Sequence, residues 1–350
     1  MSSSVVRRGR GGRPAARDSA AAAGSYVVEA ILADVTIGDV SMYELKWEGY
    51  SSEHNRWVAE WDLSCPELLA EYKRTKVENT ADVGPFYRVL QAAKELHPIT
   101  VTNTVDGVGC PEGFAYINES IYSDDVPRPC TPMFPCECED GCVTDCPCVR
   151  DRYYDDRGRV QVGISAALME CGPTCRCSRT CSTRVVQNGS GVKFEIRRFA
   201  RKGWGVVARE AIVRGTFVAE YVGELITFEE AESRGLADTA MGLTYLFDVD
   251  MACSGGDTAD FSIDAKTQGN VSHFFNHSCM PNMEIRPVYI EHRDPRLHRL
   301  AFFAARDIAA GEELTFDYSP ASNDGAGACD GGAMFACQCG TAACRKTIFL

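Results

Sequence analysis

The sequence predicts a mixed, mainly β protein whose middle is organised by metal rather than by an apolar core. Three observations carry this. Short β-like runs at 192–199, 216–221, 244–249 and 300–304 are separated by glycines and charged turns. Ahead of them, nine cysteines fall between residues 136 and 181 in a stretch with few apolar side chains, so metal must supply the missing cohesion. Near the N-terminus, alternating hydrophobicity passes into helical spacing, which makes a small module of curved strands closed by one helix.

Taken in order, residues 1–24 form a low-complexity arm with Arg7, Arg8, Arg10, Arg13 and Arg17 among glycines; it reads as disordered, with a weak capacity for nucleic-acid contact. A module over 25–76 follows. It has a strand at 26–35, a turn at Ile37-Gly38-Asp39, and Tyr43, Leu45 and Trp47 alternating with polar residues. A capping box, Ser64 with Glu67, places Pro66 in the first turn of a helix carrying Leu68, Leu69 and Tyr72. Residues 77–129 are a connector with one helix near 87–96. The cysteine-rich segment spans 130–184, the β-rich body 190–319, a flexible linker 320–335 and a cysteine-bearing tail 336–350.

No apolar run approaches the ~20 residues of a membrane helix, and the N-terminus lacks the apolar segment of a signal peptide. The chain is thus expected to avoid membranes and secretion, and reducing surroundings favour metal thiolates over disulfides. The net charge of −13 speaks against broad binding to a phosphate backbone and suits a basic partner such as a lysine- and arginine-rich tail.

The nine cysteines are Cys136, Cys138, Cys142, Cys146 and Cys148, then Cys171, Cys175, Cys177 and Cys181. Zinc takes four tetrahedral ligands, so three zincs need about twelve ligand positions. Nine thiolates fill them if three bridge two metals each; two separate four-cysteine sites would leave one sulfur over. Cys65, Cys110, Cys130, Cys253 and Cys329 are left as unpaired structural residues.

Four further blocks occur in order: Gly203-Trp204-Gly205-Val206, Tyr221-Val222-Gly223-Glu224, Asn276-His277-Ser278-Cys279 with Pro281-Asn282, and Glu313-Leu314-Thr315-Phe316-Asp317-Tyr318. With the cysteines before and Cys337-x-Cys339-x4-Cys344 after, the chain resembles the SET-domain lysine methyltransferases of the suppressor-of-variegation 3-9 type, which act on histone H3 lysine 9. The resemblance implies the SET fold of small curved sheets, with a C-terminal pseudoknot bringing Asn276-His277 beside Phe316-Asp317-Tyr318. Zinc-organised pre-SET and post-SET segments would flank it. S-adenosylmethionine would lie against Gly203, Trp204, Gly205, Tyr245, His273, Asn276 and His277, and lysine would enter a channel from the opposite face. Tyr318, Tyr221 and His277 are the catalytic candidates. Phe316, where a tyrosine would fill space, implies di- or trimethylation, and Asp250 and Phe349 would line the substrate path. His273 stands where many relatives have arginine. Cys337, Cys339 and Cys344 supply three zinc ligands, and Cys279 is the natural fourth.

The N-terminal module resembles a chromodomain, with Tyr26, Trp47 and Tyr50 as the methyl-lysine cage. It departs from the pattern at Val58-Ala59 and at His54. Together these features imply a nuclear, heterochromatic enzyme that methylates the histone H3 tail on nucleosomes and binds its own product, acting in gene silencing. Two other readings stay open on sequence: a chromatin scaffold with an inactive SET domain, and a methyltransferase for a non-histone lysine.

Overall fold

The computed structural model describes residues 26–37, 40–78, 82–129, 134–139, 142, 146–148, 152–161, 163, 167–239, 245–249, 260–318 and 334–349. The arginine arm, Gly38-Asp39, Asp250, most of the linker, Cys130, Cys253 and Cys329 lie outside the described residues. The chain divides into two units: residues 1–91 with 101–110, and residues 92–100 with 111–350.

In the first unit, strands Val28–Ile37, Val40–Trp47 and Arg56–Ala59 form an antiparallel sheet in that order. Ile31 pairs with Leu45 and Tyr43 with Val58, so the alternation read from sequence turns Tyr43 and Leu45 to one face. Register shifts after Val28 and after Ile31 curl the first strand. The helix Pro66–Glu78 closes the concave side, where Leu68, Leu69 and Tyr72 pack on buried Val28, Ile31, Tyr43, Leu45 and Cys65. The Tyr72 hydroxyl donates to Asp34 at 2.7 Å and the Tyr43 hydroxyl to Glu60 at 3.0 Å, which satisfies the phenol groups that this packing carries inward.

The connector helix sits earlier than expected, at Gly84–Leu90 instead of near 87–96. Pro85 starts it, because a first-turn proline loses no helical hydrogen bond. Beyond it, the Lys94 amide donates to the Asn118 side-chain oxygen at 2.7 Å, and the Asn118 NH2 donates to the Ala92 carbonyl at 2.9 Å. Backbone groups that would extend a helix are therefore spent elsewhere.

The second unit is built from small sheets. One orders Phe217–Glu220, Arg299–Ala304, Met283–Tyr289 and Leu168–Met169; another orders Leu246–Asp248, Phe261–Asp264, Glu224–Thr227 and Ile121–Tyr122. A hairpin joins Phe194–Phe199 to Gly203–Ala208, turning at Gly203, whose φ of 79° favours glycine. Phe194, Phe275, Phe302, Phe303 and Leu314 are among its fully buried side chains. Two short strands far apart in sequence, Asn276–His277 and Thr315–Phe316, pair in parallel. The tail forms a second hairpin, Met334–Ala336 with Thr347–Phe349, so regular structure begins within the segment expected as linker. Met334 and Phe335 are apolar residues of a kind that the Gly- and Ser-rich stretch before them lacks.

The cysteine-rich segment has little regular structure. Its buried Glu170 accepts hydrogen bonds from the Val186 amide (2.7 Å), the Val185 amide (3.0 Å), the Tyr154 hydroxyl (3.0 Å) and Gln187 Nε2 (2.9 Å), bracing loops that have no ladder of their own. No described helix is long and apolar enough to cross a membrane.

Leu45 is fully buried in a small core. Leu45→Ala is expected to destabilise the N-terminal unit by about 2–5 kcal/mol, read as a lower urea midpoint for that unit.

Candidate functional site

The parallel pairing of Asn276–His277 with Thr315–Phe316 assembles the site. Asn282, almost fully buried, clamps it: its carbonyl accepts the Thr315 amide at 2.9 Å, and its NH2 donates to the Glu313 carbonyl at 2.8 Å and to Glu312 at 2.9 Å. Tyr318 follows directly. Its amide donates to His277 Nδ1 at 3.2 Å and its hydroxyl donates to the Phe275 carbonyl at 2.7 Å. A pocket opens here, lined by Tyr221, Tyr245, Leu246, Phe247, Ser272, His273, Phe275, Phe316 and Tyr318.

The pocket is aromatic. The Phe316 ring lies 4.7 Å from Tyr318, 4.9 Å from Phe302 and 6.4 Å from Phe247. The Tyr221 hydroxyl donates to the Tyr245 carbonyl at 2.6 Å. Burial pushes both Tyr318 and Tyr221 above the usual phenol range, so both stay protonated at neutral pH. Each hydroxyl gives its proton to a backbone carbonyl, which leaves its oxygen free to accept. His273 stacks at 4.4 Å and 7° on Tyr245 and 4.4 Å from Phe114, and its Nδ1 donates to the Ala265 carbonyl at 2.7 Å. Burial pulls its pKa down to about 4, so the ring is a neutral, stacked wall.

Gly203, Trp204 and Gly205 run beside Asn276, whose NH2 donates to the Trp204 carbonyl at 3.1 Å and to Glu313 Oε1 at 2.9 Å. A Cβ on Gly205 would lie 2.6 Å from that NH2 and 2.7 Å from the Phe199 ring, so a larger residue would have to displace one of them.

Three sulfurs stand at the centre of the cysteine-rich segment. Cys136 lies 3.6 Å from Cys142 and 3.9 Å from Cys171, and Cys171 lies 3.4 Å from Cys142. Around them lie three four-sulfur groups, each with its sulfurs within 4.8 Å of one another: Cys136, Cys142, Cys146 and Cys171; Cys136, Cys148, Cys171 and Cys175; and Cys142, Cys171, Cys177 and Cys181. Cys138 packs against the same cluster, and its thiol interacts with Cys142, Cys146 and Cys136. So many buried thiols in mutual contact suit a shared metal cluster, since thiolates out of water need cations beside them. A separate group joins Cys279, Cys337, Cys339 and Cys344 across the tail, as the cysteine count implied. It adjoins the pocket: His277 Nε2 lies 3.3 Å from Cys279 Sγ, and Arg345 bonds Asp317 at 2.5 Å.

In the first unit, Tyr26 lies 5.9 Å from Trp47 and 5.8 Å from Tyr50, edge-on to both. Lys46 holds the loop by donating to the Trp47 and Tyr50 carbonyls at 3.1 and 2.5 Å. His54 extends this aromatic row, 5.6 Å from Tyr50. Asp250 lies outside the described residues, and Phe349 ends the strand Thr347–Phe349. Sequence reasoning missed Phe247 and Phe275 in the pocket wall and Lys202, which pairs with Glu313. The alternation in Leu246-Phe247-Asp248 was a signal for the first; nothing local marks the others.

The chain matches the Chromo (CHRromatin Organisation MOdifier) domain over residues 26–75, the Pre-SET motif over 91–184 and the SET domain over 203–319. It is 35% identical to histone-lysine N-methyltransferase SUV39H1 of Xenopus laevis, over 89% of this chain and 87% of that protein. Among solved structures it is similar to the Neurospora SET domain protein DIM-5, a histone lysine methyltransferase (TM-score 0.58, 33% identity, 63% of this chain and 95% of that one). It is also similar to KRYPTONITE in complex with mCHH DNA, an H3(1–15) peptide and SAH (TM-score 0.61, 32% identity, 73% of this chain and 52% of that one). With all three domains matched and a relative aligned over most of both lengths, this chain belongs to the SUV39 family of SET-domain histone-lysine N-methyltransferases.

Proposed function

We propose that this protein transfers methyl groups from S-adenosylmethionine to lysine 9 of histone H3, reaching the di- and trimethylated states, and that its chromodomain reads methyl-lysine in heterochromatin. The observation that carries the reading is the pair of hydroxyls, Tyr318 and Tyr221, both donating to backbone and both on an aromatic pocket. The H3 peptide and SAH held by KRYPTONITE support the substrate and the cofactor.

S-adenosylmethionine supplies an electrophilic methyl group on a sulfonium. The residues around it bind, orient and exclude water. Asn276, His277, Gly203, Trp204, Gly205, Tyr245 and His273 form the cofactor face. The nine residues lining the pocket include no carboxylate, so no negative charge there offsets the desolvation of an entering lysine's ammonium, whose free pKa is ~10.4. Neither tyrosine can take that proton, since burial keeps both as phenols. Lysine therefore reacts as the neutral amine after yielding its proton to solvent. The oxygens of Tyr318 and Tyr221 accept its N–H bonds and aim its lone pair, so catalysis is mostly positioning. Phe316 carries no hydroxyl to crowd the amine, which leaves room for a second and third methyl group. Asp250 would face the arginine before the target lysine, and Phe349 the channel mouth.

Zinc would serve a structural role here. Cys136, Cys142 and Cys171 would be the shared thiolates of a three-zinc cluster, with Cys138, Cys146, Cys148, Cys175, Cys177 and Cys181 as the remaining ligands. Cys279, Cys337, Cys339 and Cys344 would hold a fourth zinc. Tyr26, Trp47 and Tyr50 hold methylammonium by cation–π attraction, and one chain carrying reader and enzyme raises the local concentration of its own substrate near marked nucleosomes.

Mass spectrometry of an H3 tail peptide incubated with this protein and S-adenosylmethionine should show two or three methyl groups on lysine 9. Tyr318→Phe should lower the rate by about 100-fold. No gain, with zinc content and fold intact, would sink the H3 reading. Metal analysis should find four zincs in the wild type. Cys171→Ser should lose more of them than Cys181→Ser, because Cys171 belongs to all three groups and Cys181 to one; equal loss speaks against shared sulfurs. Trp47→Ala should weaken capture of a trimethyl-lysine peptide by roughly tenfold or more in a fluorescence titration.

A further inference from the structure

Asn276 spends both amide protons inside the protein, one on the Trp204 carbonyl at 3.1 Å and one on Glu313 Oε1 at 2.9 Å. The other Glu313 oxygen pairs with Lys202, and both charged side chains are largely withdrawn from solvent. The amide lies against bare glycine backbone, because a Cβ on Gly205 would fall 2.6 Å from the Asn276 NH2 and 2.9 Å from Glu313 Oε1. If the amide were flipped, its oxygen would face a carboxylate and a carbonyl, two acceptors with no proton between them. The observed orientation is thus enforced, and the one polar atom it leaves over is the amide oxygen.

We propose that Glu313, held by Lys202, is a positioning residue for cofactor binding: it locks the Asn276 amide so that an acceptor, never a donor, is offered to an N–H group of S-adenosylmethionine. The cofactor has two such groups, its amino-acid ammonium and its adenine amine. This rests on the reading that Asn276 contacts S-adenosylmethionine. The role belongs to the side chain, since the Glu313 backbone is held independently: its carbonyl accepts from Asn282 at 2.8 Å, and the next residue's amide donates to the Val206 carbonyl at 2.7 Å.

Glu313→Gln preserves shape but replaces one acceptor with a donor. The introduced side-chain amide would then face two donors, Asn276 and Lys202, with a single oxygen. Adding Lys202→Met removes one donor and lets that oxygen return to Asn276. The test is calorimetric titration of the zinc-loaded full chain with S-adenosylhomocysteine. E313Q should bind about tenfold more weakly or worse, with KM for S-adenosylmethionine rising in step and kcat changing less. The double variant K202M/E313Q should recover most of the loss, and melting temperature and zinc content should match the wild type in both. Wild-type affinity in E313Q, or no recovery in the double variant, would overturn the proposal. Failure of the wild-type chain to bind the probe would remove the reading of Asn276 as a cofactor contact, and this proposal with it.

Discussion

The catalytic unit depends on one short parallel pairing, Asn276 with Thr315 and His277 with Phe316. Two residues per strand form too few hydrogen bonds to hold themselves. The buried Asn282 makes up the difference, since one amide bonds Thr315, Glu313 and Glu312 at once. A buried amide that satisfies three partners is worth more than a surface contact of the same count, because each partner would otherwise be left dry and unpaired. The pairing sets Phe316 and the following Tyr318 from one strand beside Asn276 and His277 from the other. Phe316 and Tyr318 leave one strand toward the aromatic wall, while Asn276 leaves the other toward Gly205. Neither strand could slip without moving both sets.

Metal does for the cysteine-rich segment what the phenylalanines do for the sheets. The segment offers Glu170 as a hub of hydrogen bonds and almost no regular ladder. A cluster with shared sulfurs suits such a loop, because each bridging thiolate ties two metals and so links distant parts of the chain. The central triangle of Cys136, Cys142 and Cys171 joins both cysteine groups, which stand more than twenty residues apart in sequence. Folding of this segment is thereby coupled to metal loading.

Much of this was legible in the sequence, for identifiable reasons. Cysteine spacing carries its own chemistry, so the grouping of the nine sulfurs could be anticipated from it. The alternation of Tyr43, Leu45 and Trp47 pointed to the first sheet, because period two has a single reading when one face is buried. The connector helix was misplaced because its end is decided by Asn118, more than twenty residues away, which no local pattern records. Lys202 and Phe275 were silent for the same reason. Their importance lies in what the parallel pairing brings beside them, and long-range pairing leaves no periodic trace in sequence.

His277 shows how closely metal and chemistry are joined. Its Nδ1 accepts the Tyr318 amide, so the ring proton of the neutral imidazole sits on Nε2, and Nε2 faces the Cys279 sulfur. Burial pulls the imidazole down, which keeps it in this form. A metal-bound thiolate is a good acceptor for that proton, whereas a thiol is a poor one. Arg345 reinforces the arrangement from the tail: its backbone amide donates to the same sulfur at 3.3 Å and its guanidinium bonds Asp317, the neighbour of Tyr318. The tail site and the tyrosine thus share one hydrogen-bonded frame. A zinc held by Cys279 would act without touching the reactants: the Cys279 thiolate would accept the His277 Nε2 proton, and Nδ1 of the same ring accepts the Tyr318 amide.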